Sequence, residues 1–124
     1  MASINVMFNK DQGDVTVGFF SGPMVSHWMA RLTTTKIQKH DYEGTNDDNI
    51  PDQVVLSPTV LLDSAILSWW VVVFAPGGPA MDYTVTVVVS QAGKALCPPI
   101  AVRDNVDGSA AESVSGVVSF SVAP

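Results

Sequence analysis

Apolar residues return at every second position along most of this chain. Ile4, Val6 and Phe8 alternate with Asn5 and Asn9, and Val15, Val17 and Phe19 alternate with Asp14, Thr16 and Gly18. That period puts one face of a strand on a core and the other on solvent. Lys10-Asp11-Gln12-Gly13 lies between the two runs and predicts a hairpin joining antiparallel neighbours. In 27–37, Trp28, Ala30 and Leu32 share one face, while His27, Met29, Arg31, Thr33 and Thr35 take the other. The β-branched Thr33-Thr34-Thr35 suits a strand better than a helix.

Segment 38–53 is polar, contains Gly44, Asn46, Asn49 and Pro51, and reads as a long loop. Val54, Leu56, Val60 and Leu62 then alternate, with Pro58 interrupting. Proline removes a ladder donor, so this strand is expected at an edge or with a bulge. Only Asp63-Ser64 separates it from 65–74, the spacing of a tight hairpin. Met81, Tyr83, Val85, Val87 and Val89 form the cleanest alternation, with Asp82, Thr84 and Thr86 expected on the opposite face. A weaker strand over 95–102 is broken by Pro98-Pro99, 104–109 reads as a loop, and Val114, Val118, Phe120 and Val122 close the chain.

These are about eight short strands with no convincing helix, which predicts an all-β fold. The expected architecture is one antiparallel β-sandwich over 1–124, of jelly-roll or immunoglobulin-like type, with loops gathered at its two ends.

Trp69 and Trp70 disturb that pattern. Neighbouring strand residues point to opposite faces, so the two indoles cannot share one core. The odd face carries Ala65, Leu67, Trp69, Val71 and Val73; the even face carries Ile66, Ser68, Trp70, Val72 and Phe74. Trp69 has the more aliphatic company and is assigned to the core, Trp70 to an interface or ligand. A bare apolar face is rare on soluble monomers, which predicts a homo-oligomer that covers it.

Composition narrows the function. Apolar residues make up 47% and charged residues 15%, which argues against disorder. Six Lys and Arg against twelve Asp and Glu give a net charge of −6. The cations are scattered, so no nucleic-acid partner is expected. No signal peptide is read at the start, and no apolar run approaches the roughly 20 residues of a membrane helix. A soluble chain without a transmembrane segment is expected. Cys97 stands alone, which excludes an internal disulfide and paired metal spacing.

Candidate chemistry is sparse. His40 beside Asp41 has the makings of a general-base dyad, but no nucleophile motif accompanies it. Asp41, Glu43, Asp47 and Asp48, with Asp104 and Asp107 in a second acidic stretch, are the candidate ligands for a calcium ion. No other cofactor is implied, and no enzyme is expected. Aromatic side chains outside a core stack on sugars or anchor interfaces. The expected function is therefore non-catalytic, lectin-like recognition of a glycan or lipid headgroup through end loops and an exposed tryptophan. Trp70, Tyr42, His40 and Trp28 are the candidate contacts. The alternatives are a structural, self-assembling subunit and a subunit of a membrane-active toxin.

Overall fold

The computed structural model describes residues 2–21, 24–35, 39–48, 50–74, 81–106 and 111–124. Among them are ten strands: β1 (Ala2–Phe8), β2 (Val15–Phe20), β3 (Val25–Thr33), β4 (Lys39–Asn46), β5 (Asp52–Leu56), β6 (Ile66–Phe74), β7 (Met81–Gln91), β8 (Lys94–Ala95), β9 (Ile100–Val106) and β10 (Ala111–Val122). One sheet, here sheet A, has the order β1-β10-β6-β3-β4. Sheet B has the order β5-β2-β7, with β8 and β9 both on the free side of β7. Pairing is antiparallel throughout except for β1, which runs parallel to β10. The two sheets pack as a β-sandwich. No described helix is long and apolar enough to cross a membrane.

The period-2 pattern sets the core. Trp28, Ala30 and Leu32 of β3, and Leu67, Trp69, Val71 and Val73 of β6, face Val15, Val17 and Phe19 of β2 and Val54 and Leu56 of β5. On β7, Tyr83, Val85, Val87 and Val89 are buried, Asp82 is exposed, and Thr84 and Thr86 are half-buried. The alternation of that strand therefore reads the right way round.

Connectivity departs from the sequence reading in three places. β1 and β2 are not a hairpin: β1 lies in sheet A and β2 in sheet B. Alternation says which face of a strand is buried, not which sheet it joins. The crossing is held by Gln91, whose side chain accepts from the Asn9 N–H at 2.9 Å and donates to the Gly13 carbonyl at 2.8 Å. β5 and β6 are likewise in different sheets, joined through a cis Ser57–Pro58 bond and a short 3-10 turn, Thr59–Leu62. The edge position expected for the proline-interrupted strand does hold for β5. Finally, 104–109 is not all loop, because β9 runs to Val106.

The largest correction is β4, which occupies most of the segment read as a polar loop. It is the edge of sheet A beside β3. Its outward residues Lys39, Asp41, Glu43 and Thr45 are all exposed. Its inward side offers Tyr42, Gly44 and Asn46 instead of an aliphatic row, so period-2 hydrophobicity is absent. Charged edge strands are common because they discourage pairing with other chains.

Gly44 has a steric reason. A Cβ there would lie 2.6 Å from Cζ2 and 2.8 Å from Cε2 of Trp28. The Trp28 ring stacks on Phe19 of the opposite sheet, centroids 4.8 Å apart and 12° from parallel. Its Nε1–H donates to Asp52 on β5 at 2.8 Å. Gly44→Ala is expected to cost on the order of 1–3 kcal/mol by overpacking. Gly18→Ala is the control: its Cβ would meet nothing nearer than 3.7 Å. Urea unfolding of both variants checks this, and equal midpoints would show that the indole yields freely.

Candidate functional site: the outer face of sheet A

β6 lies at the centre of sheet A, between β3 and β10. Trp69, 1% exposed, points inward, and Trp70, 40% exposed, points outward. Trp69 thus lies in the core, as the sequence reading expected, and Trp70 faces outward. The register sets Met29 of β3 beside Trp70 on one side and Ser115 of β10 on the other. Val72 follows two residues on, between His27 and Ser113, and Phe74 two further, between Val25 and Ala111. Val25, Met29, Ile66, Trp70 and Phe74 are all large apolar side chains left exposed on these two strands. No other described segment of the chain covers Trp70.

A charged row borders this ridge. Arg31 of β3 pairs with Asp41 of β4, directly across the ladder. The contact is two-pronged: Nε donates to one carboxylate oxygen at 2.6 Å and an Nη donates to the other at 3.1 Å. These hydrogen bonds draw the Asp41 carboxyl below the ordinary aspartate range, with the charges of Arg31 and Lys39 adding to the pull. The same bond raises Arg31 above its ordinary value. Further along the same face, on a diagonal across the ladder, His27 Nε2 lies 3.6 Å from a Glu43 carboxylate oxygen. On the far side of β6, Ser113, Ser115 and Ser119 of β10 share the outward register with Ala111 and Val117.

These residues enclose a shallow depression of about 590 Å³, lined by Met29, Arg31, Asp41, Glu43, Trp70, Val72 and Ser113 among others. Its floor is indole, thioether and methyl groups; its rim is carboxylate, guanidinium and hydroxyl. Sites for small polar ligands have this make-up, an apolar surface with a few placed polar groups.

Of the other candidates, Tyr42, Asp41 and Glu43 also line the depression, and the rest fall elsewhere. Trp28 is a core residue, with its N–H already paired to Asp52. Tyr42 is half-buried against the core, and burial pushes its phenol upward. His40 is exposed, one position from Asp41 on β4 and therefore on the opposite side of the strand. Asp41 is engaged by Arg31, so the His40–Asp41 dyad is not assembled. Asp48 accepts the Ile50 N–H at 3.0 Å, and Asp104 accepts the Asn105 N–H at 2.8 Å. Asp47 is exposed, and Asp107 lies outside the described residues. Among the described residues, no three His, Cys, Asp or Glu side chains come together to hold a metal ion, so the described calcium candidates are not brought into one site. Arg31 and Ser113 were missed as site residues, because their placement depends on pairings across strands.

A smaller cleft of about 230 Å³ opens between β1 and the Pro98-Pro99 segment, with Trp69 at its back. The Trp69 Nε1–H and the Tyr83 hydroxyl are buried with no hydrogen-bond partner among the described residues. Burial raises the Tyr83 phenol, and the charges of Asp104 and Glu112 raise it further. Cys97 is a free, half-buried thiol, raised by burial against a backbone hydrogen bond at Val89. Comparison with protein-family models, curated proteins and solved structures gives no match.

Two outcomes follow from these shifts. Asp41 has a lowered folded pKa, so its pairing with Arg31 is present above the unfolded value, roughly 3.9, and is lost only as pH falls through the folded value. The Arg31 Nε–H resonance should therefore hold its position through the ordinary aspartate range and move only below it; movement centred on the ordinary range would show an unpaired carboxyl. Cys97 has a raised pKa, so less of it is thiolate at neutral pH than in a free cysteine. Its alkylation by iodoacetamide at pH 7 should be slower than that of glutathione, and a faster rate would contradict the burial.

Proposed function

We propose that this chain is a non-catalytic recognition module that binds a glycan on the outer face of sheet A, with Trp70 as the stacking platform. The observation that carries this reading is an exposed indole on the floor of a depression rimmed by Asp41, Glu43, Arg31 and Ser113. A sugar ring offers one apolar face for an aromatic surface and a girdle of hydroxyls for the groups around it. Carboxylates and serine hydroxyls accept from those hydroxyls, and the guanidinium donates. The ion pair fixes the orientation of both of its members before a ligand arrives, which lowers the entropy cost of binding. The site is thus a sheet face, not the end loops. A phosphate-bearing lipid headgroup fits less well, because it would meet two carboxylates on a chain of net charge −6.

The length of the apolar ridge favours a second reading, self-assembly. Val25, Ile66 and Phe74 extend it beyond what one sugar ring covers. A second copy of the chain laid on this face would bury them. Sedimentation across a wide concentration range tests this, and a monomer at all concentrations would remove it.

For the glycan reading, Trp70→Ala should weaken binding about tenfold or more, corresponding to roughly 1.4 kcal/mol, while the melting temperature barely moves. Trp69→Ala should instead cost about 3–5 kcal/mol of stability. A glycan array followed by calorimetry supplies the measurement. An array on which no glycan is retained, or a Trp70→Ala variant that binds like the parent, would overturn the proposal.

A further inference from the structure

Resting on the glycan reading, we infer that the ligand is an uncharged linear oligosaccharide that lies lengthwise along β6, one ring on Trp70 and another on Phe74. Trp70 and Phe74 are four residues apart on one strand, roughly 13 Å at the ordinary strand rise. A single sugar ring does not span that distance. Both aromatic rings are exposed, 40% and 45% respectively. Val72 lies between them on the same face, so the floor stays apolar from one platform to the next.

The borders define a track. Ser115 and Ser113 of β10 line one side of it at Trp70 and Val72, Met29 and His27 of β3 line the other, and the Arg31–Asp41 pair stands beside Ser68 at the Trp70 end. Polar groups therefore border the floor from the Trp70 end as far as Val72, and the Phe74 platform, between Val25 and Ala111, is apolar on both sides. A branched or globular glycan would engage one platform and leave the other bare.

Charge selects among linear chains. The one guanidinium in the depression is already bound two-pronged to Asp41. Glu43 adds a second carboxylate, facing His27 at 3.6 Å. An anionic sugar would find no uncommitted guanidinium in the depression and would have two carboxylates beside it. Uronic acids and sulfated sugars are disfavoured by this arrangement, and neutral sugars are not.

The test is a calorimetric titration with dimers, trimers and tetramers of three uncharged series (cello-, malto- and N-acetylglucosamine oligosaccharides), and with oligogalacturonates of the same lengths. In at least one uncharged series, affinity should rise about tenfold from dimer to tetramer, and the matched oligogalacturonate should bind about tenfold more weakly. Phe74→Ala should abolish the gain with length and spare the dimer, while Trp70→Ala should abolish both. Phe74 is a surface residue, so this variant is expected to fold; an unchanged melting curve would confirm it, and Phe74→Ser is the second choice. Affinity independent of length, a preference for oligogalacturonate, or silence from every uncharged series would overturn the inference. If the array still retains other glycans through Trp70, the parent reading survives that result. If it retains none, both fall.

Discussion

The Trp28 ring fixes the position of β4, and with it the whole outer face. The indole is held on Phe19 from the opposite sheet and hydrogen-bonded to Asp52 on β5. It leaves room for no Cβ on the strand beside it, so Gly44 must sit there. Once Gly44 is opposite Trp28, Glu43 is opposite Met29 and Asp41 is opposite Arg31. A slip of one residue would turn Asp41 and Glu43 inward and drive Tyr42 outward. A steric constraint inside the sandwich thus decides which charges stand beside Trp70 outside it.

β6 supplies the other half. A central strand of a sandwich needs one apolar face, and β6 has two. Its inner row of Leu67, Trp69, Val71 and Val73 is fully buried and accounts for the fold. The outer row does nothing for the core. Folding alone would be served as well by threonine or serine at 70 and 74, as it is by serine on the neighbouring strand β10. The exposed rings are therefore an expense against solubility in a chain poor in charge, which gives them a meaning that a single exposed leucine would lack.

Much of this was legible in the chain. The β-sandwich, the buried face of β7 and the division of labour between Trp69 and Trp70 all follow from the two-residue period, a local property. What the period cannot carry is the choice of sheet. β1 and β2 look like a hairpin because Lys10-Asp11-Gln12-Gly13 is turn chemistry, yet Gln91, some eighty residues away, holds that turn as a crossing between sheets. β4 was invisible for a different reason. An edge strand with a charged outer side and Tyr42, Gly44 and Asn46 within has no hydrophobic alternation to find. Since Asp41 and Glu43 reach Trp70 only through β4, the sequence could single them out as candidate ligands but could not place them beside Trp70. Trp28 shows the reverse failure: its type suggested a ligand contact, and its place on the inner face of β3 made it core.

One competing account of the charged row needs no ligand. Edge strands carry charge to block pairing with other chains, and β4 is an edge. That explains Lys39, Asp41 and Glu43 taken by themselves. It does not explain Arg31, which is on β3, shielded from the edge by β4 itself. Nor does it explain why Asp41 is turned across the ladder into a two-pronged pair instead of outward into solvent. An exposed pair of this kind adds little to stability, so its value to the fold is small. Its effect is to fix a carboxylate and a guanidinium beside the one tryptophan left outside the core. Edge protection accounts for the presence of charge on β4; the placement of that charge against Trp70 is what the recognition reading adds.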